Sequence, residues 1–144
     1  MQNKFKSSWK LLEMNAEDDS GNKIYPMGRN VEGLLIYLEN DFMSAQLGSL
    51  DRVEFKNTDY RFGSKTEIIE AFNGFISYFG KYTVNEKHSY ITHKISQSLF
   101  PNWTGQNVKR HYQFIDDKLI LIAPKLIYEG ILRTPTLIWE KIKE

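Results

Sequence analysis

Hydrophobic and polar residues alternate along most of this 144-residue chain. In the clearest segment, one set of positions is Ile91, His93, Ile95, Gln97 and Leu99, and the other is Thr92, Lys94, Ser96 and Ser98. A period of two indicates a strand with one buried face. The predicted inner face carries an imidazole and an amide, and burying such a group without a partner costs about 1–3 kcal/mol. We therefore predict that this strand faces a cavity and not a filled core.

Shorter segments of similar character precede and follow this strand. The sequence predicts strands at residues 9–14, 33–38, 42–47, 82–84, 108–114, 119–122, 126–128 and 132–142. Polar turns separate them at 18–22, 39–41, 85–87, 116–118 and 129–130. This gives about eight to ten short antiparallel strands, a pattern typical of an all-β protein that closes into an up-and-down barrel.

A single helix interrupts the strands. Ser64 and Glu67 have the spacing of a capping box, which predicts a helix over Lys65–Phe79 that ends at Gly80. Its apolar positions form one stripe: Ile68, Ile69, Phe72, Phe75, Ile76 and Phe79. We expect this stripe to pack against the barrel. The preceding stretch, 48–63, has no periodicity and is predicted to be a long loop, either a lid or a plain surface connection.

Composition narrows the class of protein. The length suits a single domain over residues 1–144, and the absence of cysteine excludes disulfides and indicates the reducing cytoplasm. Nineteen Lys and Arg balance eighteen Asp and Glu, so the charge does not favour nucleic acid. No leader or membrane-spanning apolar run is visible, so we expect no membrane association. Barrel closure removes free strand edges and predicts a monomer or a weak homodimer.

No motif for a metal or a cofactor is present. The three histidines, His88, His93 and His111, fall in a turn, at an inward position and at an outward position. That distribution does not have the spacing of metal ligands. The chain also lacks a glycine-rich phosphate loop and a nucleophile elbow. We therefore predict neither a metal nor a cofactor.

Several phrases of the sequence resemble the bacterial lipocalin-like domain family, a branch of the calycin superfamily. They are Trp9–Leu11, Tyr25–Gly28, Gly33–Tyr37, Met43–Leu47, Ser98–Trp103 and Leu137–Glu140. Together they extend over nearly the whole chain, and the phrases at 43–47 and 98–103 are the most specific. The resemblance implies a β-barrel with an internal pocket, and it implies no particular reaction.

The inner wall offers two candidate polar sites. His93 and Gln97 share one predicted face and together can hold a polar ligand atom, although a neighbouring hydroxyl would also satisfy the histidine. Arg110 shares a face with Tyr112 and needs an anion if it is buried, either from a ligand or from an internal Asp or Glu. The Arg110-x-Tyr112 pair is similar to the pair by which fatty-acid-binding proteins, also calycins, hold a carboxylate, which implies a carboxylate site here.

The remaining pocket candidates are aromatic, soft or amide side chains: Tyr37, Met43, Gln46, Phe100, Trp103 and Trp139. The leading hypothesis is binding of a small, largely apolar molecule with one polar or anionic end, for sequestration or transport. The alternative is an enzyme in the same cavity, a cyclase, isomerase or hydratase with His93 as general acid or base. A third possibility is a barrel filled by its own aromatic side chains.

Overall fold

The computed structural model describes residues 4–143, which form one antiparallel sheet. Its strands are β1 (Ser7–Glu17), β2 (Lys23–Ile24), β3 (Val31–Tyr37), β4 (Phe42–Ser49), β5 (Phe75–Asn85), β6 (Tyr90–Ser98), β7 (Asn107–Ile115), β8 (Lys118–Ile122), β9 (Leu126–Tyr128) and β10 (Ile131–Lys141). Pairing of β1 with β10 closes the sheet. The result is an eight-stranded up-and-down barrel, in which β2 and β9 are short additions. The predicted all-β closed barrel is confirmed.

The N-terminal segment closes one end of the barrel. The Phe5 side chain is buried, and its ring makes edge contacts with Tyr37, Tyr112 and Phe114 at centroid distances of 5.5, 4.9 and 4.9 Å. The Nε1–H of Trp9 donates to the carbonyl oxygen of Phe5 over 2.9 Å and holds this plug in place. Aromatic packing therefore fills this end, and any cavity must lie towards the other end.

The helix is shorter than predicted. It is α1 (Lys65–Asn73), and the capping box at Ser64 and Glu67 is present as expected. The helix ends at Gly74, not at Gly80, and Phe75 already belongs to β5. None of the helical residues is fully buried, so the predicted packing stripe is also wrong. The segment after Gly74 forms a strand because it pairs with β4 on one side and β6 on the other. These tertiary contacts override its helical pattern.

A β-bulge in β6 inverts the predicted alternation. Phe79 pairs with Gln97 but the next residue, Gly80, pairs with Ile95, so Ser96 is an extra residue on that strand. A Cβ on Gly80 would clash with the carbonyl oxygen of Lys94, which requires glycine there. As a result, Gln97 is exposed and Ser98 turns inward, so the predicted inward position of Gln97 is wrong.

A similar irregularity shifts β1. The register against β10 changes between Leu11 and Glu13, which leaves Leu12 as the extra residue. Trp9 and Leu11 are buried before the bulge and Met14 after it. Strict alternation from Trp9 would turn Met14 outward, because alternation alone does not reveal an inserted residue.

The connections agree with the predicted turns. Asp41 and Asp116 adopt positive φ in the β3–β4 and β7–β8 turns, as do Glu129 and Gly130 between β9 and β10. The Asp18 carboxylate accepts backbone hydrogen bonds in the turn before β2, which explains it without a catalytic role. Residues 50–64 form the long loop before α1.

Among residues 4–143, no helix has the length and hydropathy needed to cross a membrane.

Candidate functional site

An internal cavity of about 480 Å³ lies in the half of the barrel away from Phe5. Its wall is largely apolar and includes Leu35, Leu47, Ile95, Leu121, Leu137 and Trp139. It also reaches the exposed residues Asn102, Gln106 and Asn107 around the start of β7, where it opens to solvent. A volume of this size, with a few polar groups on an apolar wall, is typical of small-molecule sites.

His93 is the centre of the polar cluster on this wall. The ring is buried and touches two tyrosines: Nε2 lies 2.6 Å from the Tyr37 hydroxyl, and Nδ1 lies 2.8 Å from the Tyr78 hydroxyl. The Nε–H of Arg110 also donates to Nδ1, over 3.2 Å. Burial lowers the pKa of His93 well below its usual value of 6.5, and the Arg110 charge lowers it further. His93 is therefore neutral at physiological pH.

Arg110 determines which nitrogen of His93 carries the proton. A guanidinium can only donate hydrogen bonds, so Nδ1 must be the unprotonated acceptor. The proton then sits on Nε2 and is donated to the Tyr37 oxygen, while the Tyr78 hydroxyl donates to Nδ1. Burial raises the pKa of Tyr37 well above 10, so this hydroxyl also stays neutral. The cluster is thus a chain of neutral groups attached to a single cation.

Among the described residues, the Arg110 guanidinium on the cavity wall has no anionic partner. On β7 the side chains of Val108, Arg110, Tyr112 and Phe114 are partly buried and alternate with exposed positions, as the sequence predicted. Arg110 lines the cavity, and no carboxylate among residues 4–143 lies within ion-pair distance of it. An arginine is always charged. The wall therefore presents a fixed positive charge next to an apolar volume.

Two further polar groups line the same cavity. Burial raises the pKa of Tyr128, and the charge of Arg110 partly offsets that rise, which places the phenol within the electrostatic reach of the guanidinium. Trp139 is buried, and its Nε1–H has no hydrogen-bond acceptor among the described residues. An unpaired buried donor of this kind is unfavourable.

A second cavity of about 330 Å³ adjoins the first at its open end. Both cavities are lined by Ile76, Trp103, Leu126 and Tyr128, which form the boundary between them. Phe100 contacts only the second cavity, where its ring packs edge-on against Trp103 at 5.3 Å between centroids. Phe100 and Trp103, both predicted as pocket residues, therefore form an aromatic pair at the mouth.

Apart from Phe100, which lines only the second cavity, the predicted pocket residues separate into three groups. His93, Trp103, Arg110 and Trp139 line the main cavity. Tyr37, Met43 and Tyr112 face inward but lie outside this lining, and Tyr112 packs against the Phe5 plug and not beside Arg110 as a carboxylate pair. Gln46 and Gln97 are on the outer face: Gln46 donates to the Ser44 hydroxyl, and Gln97 follows the bulge. The expectation that these two amides line the pocket is wrong.

Sequence reasoning missed two tyrosines of the cavity wall, and also a buried cation that lies outside its lining. Tyr78 was assigned to the helix, although it alternates with Ile76 on the inner face of β5. Tyr128 is the last residue of β9, a short strand whose inner face the sequence does not reveal. Arg133 is buried on β10, where alternation with Pro135, Leu137 and Trp139 was a usable signal for an inward cation.

The fold and the site define a lipocalin-like barrel. The family model of the lipocalin-like domain matches residues 7–142, and this chain belongs to that family. The predicted resemblance is thereby confirmed, while a bacterial origin stays a prediction. Among solved structures, the chain is similar to a mutant of the fluorescent protein UnaG, with 11% identity over 100% of both chains and a TM-score of 0.43. No curated protein matches the sequence.

Proposed function

We propose that this protein binds a small, largely apolar molecule through one anionic end, inside the barrel cavity. The observation that carries the proposal is the Arg110 guanidinium, which lines an apolar cavity and has no carboxylate partner among residues 4–143. A charged donor in such a place is stabilised by an anion, and a charge-assisted hydrogen bond is about twice as strong as a neutral one.

The rest of the cluster supports recognition of an anion. The bond from Arg110 to His93 uses Nε and leaves the two terminal amino groups of the guanidinium for a ligand. The histidine is buried and neutral, so it orients the arginine without adding a competing charge. Tyr128 is a further polar residue on the same wall.

The engagement of His93 favours binding over catalysis. Each of its ring nitrogens already has a protein partner at hydrogen-bond distance, Tyr37 on one side and Tyr78 on the other. A general base needs a free nitrogen near a substrate proton and a pKa near neutrality. The depressed pKa of His93 and its occupied nitrogens instead suit a positioning role.

The test compares ligands that differ only at the polar end. Isothermal titration of the purified protein with dodecanoate, dodecanol and dodecylamine measures the preference for charge. We expect dodecanoate to bind at least about tenfold more tightly than dodecanol, and dodecylamine to bind most weakly, since one charge-assisted bond contributes about 1.5–3 kcal/mol. Equal binding of the acid and the alcohol contradicts an anion site and leaves only a generic apolar pocket.

A further inference from the structure

Exposed apolar side chains surround the second cavity, the one of about 330 Å³. They come from three separate segments of the chain: Phe72 near the end of α1, Leu99 and Phe100 after β6, and Ile127 on β9. All four side chains are exposed although they are large and apolar. Single exposed apolar residues are common on protein surfaces, but a group of them around one concave site indicates a binding surface.

A series of aromatic rings connects this surface to the His93 cluster of the main cavity. Tyr78, whose hydroxyl contacts His93, lies 6.4 Å from Trp103 between ring centroids. Trp103 lies 5.3 Å from Phe100, and Phe100 lies 6.5 Å from Phe72. Because Trp103 lines both cavities, these rings form one wall that continues from the first cavity to the second. A hydrocarbon chain along this wall contacts aromatic rings from end to end.

The geometry of β5 gives the distance from the Arg110 site to the second cavity. Nδ1 of His93 lies 3.2 Å from Nε of Arg110 and 2.8 Å from the Tyr78 hydroxyl, so Arg110 and Tyr78 are level on the wall. Ile76, which lines both cavities, is the next inward residue of β5, about 7 Å further along the strand. With carbon–carbon bonds of about 1.5 Å at tetrahedral angles, about six carbons of an extended chain cover this distance. A longer chain must bend back or enter the second cavity.

The main cavity also opens at the start of β7, and the chemistry of that opening differs. Its exposed side chains are the amides of Asn102, Gln106 and Asn107. Exposed amides stay hydrated, so a CH₂ group beside them gains little. A CH₂ group that apolar side chains remove from water raises the affinity about fourfold, equivalent to about 0.8 kcal/mol. The second cavity is therefore the better exit for a hydrocarbon chain.

We infer that the second cavity binds the hydrocarbon tail of the ligand, and that the ligand is a long-chain acid of about twelve to sixteen carbons. This inference rests on the proposed function, because it takes the acidic end to be bound at Arg110. The first half of the chain lies in the main cavity. The second half passes Trp103 and Tyr128 and covers Phe100 and Ile127, which are exposed without it.

Isothermal titration with octanoate, dodecanoate and hexadecanoate, each below its micelle concentration, tests the tail site. In the wild-type protein we expect hexadecanoate to bind at least about a hundredfold more tightly than octanoate. Ile127 is 72% exposed and lines only the second cavity, so Ile127→Asn should weaken hexadecanoate at least about fivefold and octanoate less than about twofold. The matched control is Ile131→Asn, at a side chain that is 46% exposed and lies outside both cavity linings. It should change neither affinity by more than about twofold.

A single thiol locates the tail directly. The chain contains no cysteine, so Ile127→Cys introduces the only one. Alkylation by iodoacetamide depends on access to this thiol, so saturating hexadecanoate should slow it at least about fivefold. Saturating octanoate should leave the rate within about twofold, because its chain ends near the boundary of the cavities. In the control Ile131→Cys, neither acid should change the rate.

The outcomes separate the tail site from the proposed function. Acid binding that depends on Arg110, with hexadecanoate unaffected by Ile127→Asn or with the thiol equally reactive in both acids, overturns the tail site alone. Equal weakening of octanoate and hexadecanoate by Ile127→Asn also overturns it.

Protection of the thiol without acid tests other occupants of the cavity. Protection by added wild-type protein would assign the surface to a second copy of the chain, and protection by phosphatidylcholine vesicles would assign it to a membrane. Either result overturns the tail site. Protection by hexadecanoate that persists after Arg110→Met supports the tail site and overturns the anion site. Failure of all the acids to bind overturns both.

Discussion

The Nε–H of Arg110 donates to Nδ1 of His93 over 3.2 Å, and this bond joins a cation of the cavity wall to a fully buried imidazole. The two residues lie on neighbouring strands, β7 and β6, which are paired in antiparallel register. The bond uses one donor of the guanidinium and both orients it and fixes the tautomer of the histidine. The following predictions depend on this cluster and on the barrel that holds it.

Replacing Arg110 by methionine should weaken the binding of an acidic apolar ligand. The variant keeps the apolar stem but loses the charge-assisted hydrogen bond, which corresponds to about 1.5–3 kcal/mol of binding free energy. Titration with dodecanoate measures the loss. The control for a lost positive charge is Arg61→Met, at an exposed arginine of the loop before α1. His93→Gln should weaken binding less than Arg110→Met, since the histidine acts by orienting the arginine. Unchanged affinity in folded Arg110→Met would exclude this site.

The stability of the protein should decrease below about pH 6.5, in part because of His93. Its pKa is depressed in the folded protein, so the unfolded chain binds a proton over a pH range in which the folded protein does not. The free energy of unfolding therefore rises with pH through this window, by up to about 1.4 kcal/mol per pH unit, and levels off above 6.5.

Urea denaturation at a series of pH values measures this slope. His93→Gln should reduce the slope between about pH 5 and 6.5, even though its stability at neutral pH is lower. His111 is exposed on the outer wall, so His111→Gln serves as the control and should retain the wild-type slope. An unchanged slope in His93→Gln would show that other groups cause the loss of stability at acidic pH.

Two phenylalanines should differ greatly in their contribution to stability. Phe5 is 1% exposed at the closed end, so Phe5→Ala should cost about 3–5 kcal/mol. Phe72 on α1 is 41% exposed, so Phe72→Ala should cost only about 1 kcal/mol. Chemical denaturation compares them, with Phe62→Ala, at 70% exposure, as the surface control. A larger loss for Phe72 than for Phe5 would contradict the assignment of the plug.

Alanine substitution should affect two glycines for different reasons. At Gly80 a Cβ meets the backbone of Lys94 at the bulge, so Gly80→Ala should destabilise the barrel by more than about 2 kcal/mol. At Gly105 the space is open and only the positive φ is strained, which costs about 1–2 kcal/mol. The difference in unfolding free energy between the variants tests whether β5 and β6 meet as described.

The protein should be a monomer or at most a weak dimer in solution. Closure of the barrel pairs all eight long strands, and the additional strands β2 and β9 contain only two and three residues. Short edges offer little backbone for pairing between molecules. Sedimentation velocity over a range of concentrations measures the mass. A stable dimer at low concentration would disprove this prediction and point to an interface outside the strand edges.

Local patterns in the sequence predict the barrel and the inward positions of several polar residues on its wall. Alternation in β6 and β7 placed His93 and Arg110 inward, because a strand with one buried face repeats every two residues. The capping box located the start of α1, since its hydrogen bonds are local in sequence. The phrases shared with the lipocalin-like family extended the prediction over nearly the whole chain.

The points at which strand alternation and helical periodicity end depend on contacts between segments that are distant in the sequence. The bulges at Leu12 and Ser96 move Met14 and Ser98 inward and turn Gln97 out, and an inserted residue becomes visible only against its partner strand. Pairing with β4 and β6 converts the segment after Gly74 from predicted helix to strand, because neighbouring strands satisfy its backbone. Neither Arg110 nor Arg133 has a carboxylate of residues 4–143 within ion-pair distance, and that depends on which residues approach them in space, which the linear order does not contain.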